Sequence, residues 1–107
     1  MNYPPKRRRL NKEQKQQKRR YKQVSKYGIT VHQYNQLLVL QGNKCAICRT
    51  EFSGEGGSKH SPHIDHCHTT GEVRALLCKN CNAGIGLLQD DVAILTNAIK
   101  YLTAFAA

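Results

Sequence analysis

The sequence predicts a small α+β domain stapled by a zinc ion, with a basic arm in front of it. Two Cys-x-x-Cys pairs lie 29 residues apart, and the segment between them has the pattern of two short strands. Apolar residues at helical spacing appear on both sides of this segment. With 107 residues, 39% of them hydrophobic and no Trp, the chain can bury one small core, which a bound metal ion would reinforce.

Residues 1–26 form the predicted basic arm. They hold eleven of the seventeen Lys and Arg residues and one acidic residue, so the arm carries the entire net charge of +10 and residues 27–107 are neutral. We expect the arm to be disordered, or helical on nucleic acid, because residues 11–26 are good helix formers with almost nothing to bury. A solvated tail and a nuclear-import patch are the alternatives. The charge predicts contact with nucleic-acid phosphates through Lys6, Arg7, Arg8, Arg9, Lys15, Lys18, Arg19, Arg20 and Lys22.

Residues 27–107 form the predicted domain, which begins with a helix. Thr30 and Gln33 have the spacing of an N-terminal capping box, and Gly42 provides a stop. Residues 53–61 are a loop by composition, and a strand then runs to His68. Residues 69–72 form a turn, and a returning strand at 73–77 leads into the second cysteine pair.

Two helical segments follow the second cysteine pair. Asn82 stands at the start of a helical turn that Gly84 and Gly86 should keep short. A longer helix begins near Asp90, which is its predicted N-cap. The apolar stripe of this helix is predicted to be core, although part of it could pair with a second subunit in a homodimer; it comprises Val92, Leu95, Ile99 and Leu102.

The paired cysteines are the predicted ligands of a structural zinc ion: Cys45, Cys48, Cys78 and Cys81. Two such pairs complete a tetrahedral site, and the alternative is a set in which His63 or His68 replaces a cysteine. Cys67 is predicted to be a small buried residue. An odd number of cysteines, four of them paired in sequence, argues against disulfides and for a reducing, intracellular compartment. Neither a secretory signal nor a membrane span is predicted.

The segment between the cysteine pairs concentrates polar groups that suit phosphodiester hydrolysis. Asp65 offers a hard oxygen ligand for Mg²⁺ or Mn²⁺, and Asn82 can add a neutral oxygen to the same ion. His66 is a candidate general base that would take a proton from attacking water. In a regular strand Asp65 and His66 point to opposite faces, so a bend is required between them. For Asp65 and Asn82 the alternative is local turn and cap hydrogen bonding.

A longer motif resembles a known family. It comprises Cys45-x-x-Cys48, then Asp65-His66-Cys67-His68-Thr69-Thr70-Gly71-Glu72-Val73-Arg74-Ala75-Leu76-Leu77-Cys78-x-x-Cys81-Asn82, then Gly84-Ile85-Gly86. With Tyr27-Gly28-Ile29-Thr30 and Tyr101-Leu102, these residues are similar to the phage recombination endonuclease VII family of HNH, or ββα-metal, nucleases. The resemblance covers about residues 27 to 102.

The resemblance implies an HNH core made of a β-hairpin and a helix, flanked by further helices. It implies structural zinc on the four paired cysteines, a catalytic divalent ion on Asp65 and Asn82, and activation of water by His66. His68 and His63 would orient groups or contact the scissile phosphate. The substrate would be double-stranded or branched DNA, in the cytoplasm of a host cell if the chain is encoded by a phage.

Two departures from the family pattern affect these expectations. Ala75 stands where the family usually has Gly, a change that should leave catalysis in place. The best-known members continue past the equivalent of Ala107 into a region that grips branched DNA, so we expect phosphodiester cleavage rather than junction resolution. The hypothesis is therefore a metal-dependent DNA endonuclease. Its rival is a zinc-stabilised DNA- or RNA-binding module without catalysis.

Overall fold

The computed structural model describes residues 9–53 and 58–106, and these residues form a small α+β domain as predicted. Lys6, Arg7 and Arg8 of the predicted arm, and part of the predicted loop at 53–61, lie outside the described residues. The elements in chain order are α1 (Lys12–Lys26), α2 (Val31–Leu40), β1 (His63–His66), β2 (Val73–Leu77), α3 (Lys79–Leu87) and α4 (Val92–Ala104).

Helix α1 occupies most of the described part of the basic arm. Asn11 and Gln14 form a capping box at its start, because each side chain accepts a hydrogen bond from the other residue's backbone N–H. Near its end Val24 is only 2% exposed and belongs to the hydrophobic core. The sequence left this segment almost nothing to bury, and Val24 is the residue that nevertheless joins the last turns of α1 to the core.

Helix α2 begins and ends as its sequence predicts. Thr30 is the N-cap, its hydroxyl accepts from Gln33 N at 3.1 Å, and the Gln33 side chain accepts from Thr30 N at 2.8 Å. Tyr34 points into the core from the middle of the helix. The C-cap residue Gln41 bonds both backbone groups of Leu76 at 2.9 Å, so α2 is fastened to the outer edge of β2.

Strands β1 and β2 form a two-stranded antiparallel sheet with one irregularity. The register shifts after Asp65, so that His66 lies opposite Val73 and Arg74 is an extra residue in β2. Such a bulge bends the strand and re-aims side chains. The extra residue lies in β2, so the bend that the sequence required between Asp65 and His66 of β1 stays a prediction. The preceding pairs are His63–Leu77, Ile64–Leu76 and Asp65–Ala75.

Helix α3 begins earlier than the sequence indicated. Cys78 is its N-cap, with Sγ accepting from Cys81 N, so the second cysteine pair spans the first turn. The helix ends in a Schellman motif, in which Gln89 N donates to Gly86 O and Asp90 N donates to Ile85 O. The motif places Gln89 at a φ of 64°, and Asp90 after it has a φ of 52°; both values are uncommon for residues other than glycine.

Helix α4 differs from its prediction in two ways. Its N-cap is Asp91 rather than Asp90, with Oδ1 accepting from Ala93 N and Ile94 N. No residue of α4 is buried, so its apolar stripe is not core, and Val92, Ile99 and Leu102 are 77%, 65% and 68% exposed. The prediction of a core helix failed because apolar periodicity identifies a face that needs cover without identifying what covers it.

The hydrophobic core lies where α1, α2, the hairpin and the cysteine pairs meet. Its buried members are Val24, Tyr34, Cys45, Phe52, Ile64, Leu76, Leu77 and Cys78. Two of the eight are paired cysteines, so the core and the cysteine cluster are one structural unit. Within the described part of the chain, no helix has both the length and the apolar character needed to cross a lipid bilayer.

Candidate functional site

The two cysteine pairs converge on one point, as the sequence predicted. The Sγ atoms of Cys45, Cys48, Cys78 and Cys81 all lie within 4.8 Å of one another. The Cys48 and Cys78 sulfurs are 3.8 Å apart, which is about the sulfur–sulfur spacing of a tetrahedral site with Zn–S bonds of about 2.3 Å. The geometry therefore fits a zinc ion held by four cysteines, and no histidine is needed to complete the set.

The backbone around the first cysteine pair fixes this arrangement. Cys45 N donates to Thr50 O at 2.9 Å, and Arg49 N donates to Cys45 O at 3.1 Å, which closes a tight turn around the pair. Ala46 N donates to Leu76 O at 3.2 Å, so the turn is also joined to β2. The strand that leads into Cys78 is thereby held against the turn that carries Cys45.

Hydrogen bonding and burial give the paired thiols different pKa values. The Thr50 hydroxyl, 3.2 Å from Cys48 Sγ, lowers the pKa of Cys48 to about 6. Burial, together with the neighbouring sulfurs, raises the pKa of Cys81 to about 12. Four thiolates this close repel one another, so full deprotonation requires a cation among them, and binding of zinc releases protons.

The bulge places Asp65 and Arg74 in direct contact. Asp65 is 7% exposed, and Arg74 donates to both of its oxygens, from Nε to Oδ2 at 2.6 Å and from Nη2 to Oδ1 at 2.9 Å. The same Nη2 donates to Asp90 Oδ2 at 3.2 Å. Bonding to Asp65 is the main cause that raises the pKa of Arg74, which stays charged. The buried carboxylate predicted as a metal ligand is thus neutralised by an internal cation.

His66 and His68 lie beside this ion pair at the end of β1. The His66 ring is half-buried between Tyr27 and His68, with ring centroids 4.9 and 4.8 Å away. His68 is exposed, and its Nε2 lies 3.7 Å from Asp90 Oδ2. Two imidazoles and two carboxylates therefore share one end of the hairpin.

His63 and Asn82 occupy other parts of the neighbourhood. His63 is half-buried at the start of β1, and burial, assisted by the charge of Lys79, lowers its pKa. Its Nε2 is buried and has no hydrogen-bond partner among the described residues. Asn82 lies in the first half of α3, where its backbone N–H donates to Cys78 O. In the described residues no hydrogen bond joins Asn82 to Asp65, so their shared metal role stays a prediction.

Three contributors to this end of the hairpin were missed from the sequence. Arg74 and Tyr27 were treated only as parts of a family motif, and Asp90 as a helix cap. A signal for Arg74 was available in the sequence, because a basic residue in one strand of a hairpin can pair with an acidic residue in the other. The position of Asp90 follows from the end of α3, and no local pattern predicts it.

A cavity of about 410 Å³ opens beside the ion pair. One of its walls is the turn of the hairpin, and the other is the end of α3. Asp90 Oδ1 is buried here without a hydrogen-bond partner among the described residues. The cavity is lined mainly by Cys67, His68, Thr69, Arg74, Gln89 and Asp90.

Helix α1 presents most of its basic residues to solvent. Arg20 is different, because it is half-buried and its guanidinium lies 5.2 Å from the centroid of the Tyr34 ring. Arg20 therefore attaches α1 to α2 by a cation–π contact. The predicted phosphate contacts that stay exposed are Arg9, Lys15, Lys18, Arg19 and Lys22.

Comparison with known proteins agrees with the resemblance drawn from the motifs. The recombination endonuclease VII family matches residues 18–104. The Gene 59 proteins of Mycobacterium phages L5 and D29 are each 39% identical to this chain over 80 residues, covering 74% of the chain and 46% of the phage protein. The chain thus spans about half the length of these curated relatives, and no solved structure matches it.

The matched span contains the elements described above. It starts inside α1 and ends with α4, so it includes both cysteine pairs, the hairpin and the end of α3. The chain belongs to the recombination endonuclease VII family.

Proposed function

We propose that this protein is a metal-dependent DNA endonuclease of the HNH, or ββα-metal, class. The observation that carries the proposal is the end of the hairpin, where the consecutive β1 residues Asp65 and His66 lie at the bulge and where His68, Arg74 and Asp90 line an open cavity. Membership of a nuclease family adds to it. The order β1, β2, α3, with paired cysteines around the hairpin, agrees with a ββα-metal core.

Asp65 and Asn82 are the proposed holders of a catalytic Mg²⁺ or Mn²⁺ ion. Carboxylate and amide oxygens are the donors that such hard ions prefer. Asp65 is buried, and Asp90 Oδ1 is buried without a hydrogen-bond partner among the described residues. An ion bound to Asp65 would replace Arg74, which bonds both of its oxygens. When bound, the ion supplies positive charge where negative charge develops on the phosphate. The four paired cysteines hold the separate structural zinc ion.

His66 is the proposed general base. Its ring is in contact with the rings of Tyr27 and His68, so a ring nitrogen can accept the proton of an attacking water in a fixed orientation. His68, which is exposed beside it, is the proposed contact to the scissile phosphate. His63, which burial keeps neutral, would orient its neighbours at the other end of β1.

The proposed substrate is double-stranded or branched DNA inside a host cell. Arg9 and the exposed basic residues of α1 supply the positive charge that phosphate contact requires. The uncovered apolar face of α4 is a candidate surface for a second copy of the chain, so we propose a homodimer as the assembly.

Cleavage of supercoiled plasmid in Mg²⁺ or Mn²⁺ tests the proposal. We expect His66→Ala to lower the cleavage rate by about 10²-fold or more, because a general base contributes about 10²–10⁴-fold. Zinc content should stay near wild type because His66 is not one of the four zinc ligands. DNA affinity should also stay near wild type because His66 is not among the basic residues of α1 that contact phosphate. His32→Ala, at an exposed position of α2, is the matched control and should cleave normally. Equal activity of the two variants would remove His66 as the base.

A zinc-stabilised DNA- or RNA-binding module without catalysis is the second candidate function. The observation that favours it is Arg74, which already neutralises the carboxylate that a catalytic ion needs. A binding module would bind DNA but leave supercoiled plasmid intact at every Mg²⁺ and Mn²⁺ concentration. Cleavage that depends on His66 would exclude this alternative.

A further inference from the structure

Arg74 lies between two carboxylates that belong to different parts of the fold. It is the extra residue of the β2 bulge, and it donates two hydrogen bonds to Asp65 of β1 and one to Asp90 after α3. The bonds to Asp65 are the shorter ones, at 2.6 and 2.9 Å against 3.2 Å to Asp90. One guanidinium therefore joins the hairpin to the connection between α3 and α4.

The burial of the three side chains is unequal. The Asp65 side chain is 9% exposed and that of Asp90 is 18% exposed, whereas that of Arg74 is 40% exposed and borders the open cavity. A buried carboxylate has to keep a cation or several hydrogen-bond donors beside it. The Arg74 guanidinium already contacts solvent and can move further outward, whereas the Asp65 carboxylate is enclosed by the protein. Of the three groups, the guanidinium is the one that can change place.

We propose that Arg74 is a positioning residue. In the metal-free protein its guanidinium is hydrogen-bonded to Asp65, and when a divalent metal ion binds Asp65 the guanidinium gives up these bonds and pairs with Asp90 alone. The inference rests on the proposed metal role of Asp65. Asp65 keeps a positive partner in both states, first the guanidinium and then the ion. Asp90 keeps Arg74 neutralised after the exchange. Its Oδ1, which is buried and bonded to no residue in the described part of the chain, is a second acceptor already in place.

Direct titration with Mn²⁺, followed by electron paramagnetic resonance of the free ion, tests the exchange on the zinc-loaded full-length chain. The Mn²⁺ binding that Asp65→Asn loses is the binding that depends on Asp65. Arg74→Gln should bind Mn²⁺ at least about tenfold more tightly than wild type, because the ion no longer displaces charge-assisted hydrogen bonds. Lys100→Gln removes the same charge from an exposed position of α4 and should change the affinity less than about twofold.

A double-mutant cycle separates the role of Asp90 from that of a direct ligand. If Asp90 acts by receiving Arg74, Asp90→Asn weakens Mn²⁺ binding several-fold in the wild type and has no effect in the Arg74→Gln background. If Asp90 binds the ion itself, or acts only through its charge, the substitution weakens binding equally in both backgrounds. Equal weakening would overturn the assigned role of Asp90.

The outcomes also separate this inference from the proposed function. Unchanged or weaker binding by Arg74→Gln would show that Arg74 is a fixed partner of Asp65, and would refute the exchange while leaving the nuclease proposal intact. Tighter Mn²⁺ binding by Arg74→Gln, together with no plasmid cleavage by the wild-type chain, would support the exchange and refute the nuclease proposal. Absence of Asp65-dependent Mn²⁺ binding in every variant would refute both. If Arg74→Gln loses zinc or helical circular dichroism, Arg74→Lys keeps the charge without the bidentate fork and should bind Mn²⁺ more tightly by a smaller factor.

Discussion

Replacing Gln41 by Met should loosen the strand that carries Arg74 and leads into the second cysteine pair. The Gln41 side chain accepts from Leu76 N and donates to Leu76 O and to Lys44 O, all at 2.9 Å. Leu76 is fully buried, so its N–H would be left without a partner and out of reach of water. Its carbonyl would still accept from Ala46 N, and the exposed Lys44 carbonyl can bond water.

The magnitude follows from these three bonds. An orphaned buried donor costs about 1–3 kcal/mol, and the other two bonds add little because their acceptors keep other partners. We therefore expect the free energy of unfolding to fall by about 2 kcal/mol. In a domain of this size that corresponds to a drop in Tm of roughly 8–16 °C. Met is similar in size and equally unbranched, so packing should change little.

Denaturant unfolding at one fixed concentration of free zinc measures this effect, because zinc binding itself stabilises the folded state. Gln36→Met makes the same replacement on the exposed face of α2 and should cost less than about 0.5 kcal/mol. A loss below about 0.5 kcal/mol in Gln41→Met, equal to that of the control, would refute the reasoning that Gln41 supports β2.

Three further predictions concern charge, proton binding and assembly. Burial lowers the pKa of His63, so the unfolded chain binds its proton first, and stability should fall as the pH drops below about 6.5. Unfolding curves of His63→Gln between pH 5 and 7.5 should show a smaller fall, and an unchanged slope would argue against a buried neutral imidazole. Replacing four exposed basic residues of α1 by Gln, a good helix former, should reduce the salt dependence of DNA binding by up to about 0.9 for each phosphate that is no longer neutralised; the four are Lys15, Lys18, Arg19 and Lys22. A slope equal to that of wild type would place the phosphate-binding residues elsewhere. Leu102→Glu should shift the chain from dimer to monomer in sedimentation equilibrium, and a wild-type chain that is monomeric at every concentration would refute the homodimer.

Local patterns predicted the elements that depend on residues close in sequence. The capping box at Thr30 and Gln33 and the returning strand at 73–77 appear as expected, because caps and strand alternation need only neighbouring side chains. The same kind of signal, Asn11 followed by Gln14, was present at the start of α1 and was overlooked. The predicted start of α3 was late because a cysteine sulfur serves as its N-cap.

The sequence alone determined that four cysteines gather around one point and that a His- and Asp-rich hairpin lies between them, because ligand spacing and residue chemistry are properties of the chain. Tertiary structure alone decided that Arg74 neutralises Asp65 and that Asp90 arrives from the end of α3 to share it. It also decided that Val24 is buried while the apolar stripe of α4 is not. These outcomes depend on which distant surfaces pack together, and a pattern within one segment carries no information about its partner.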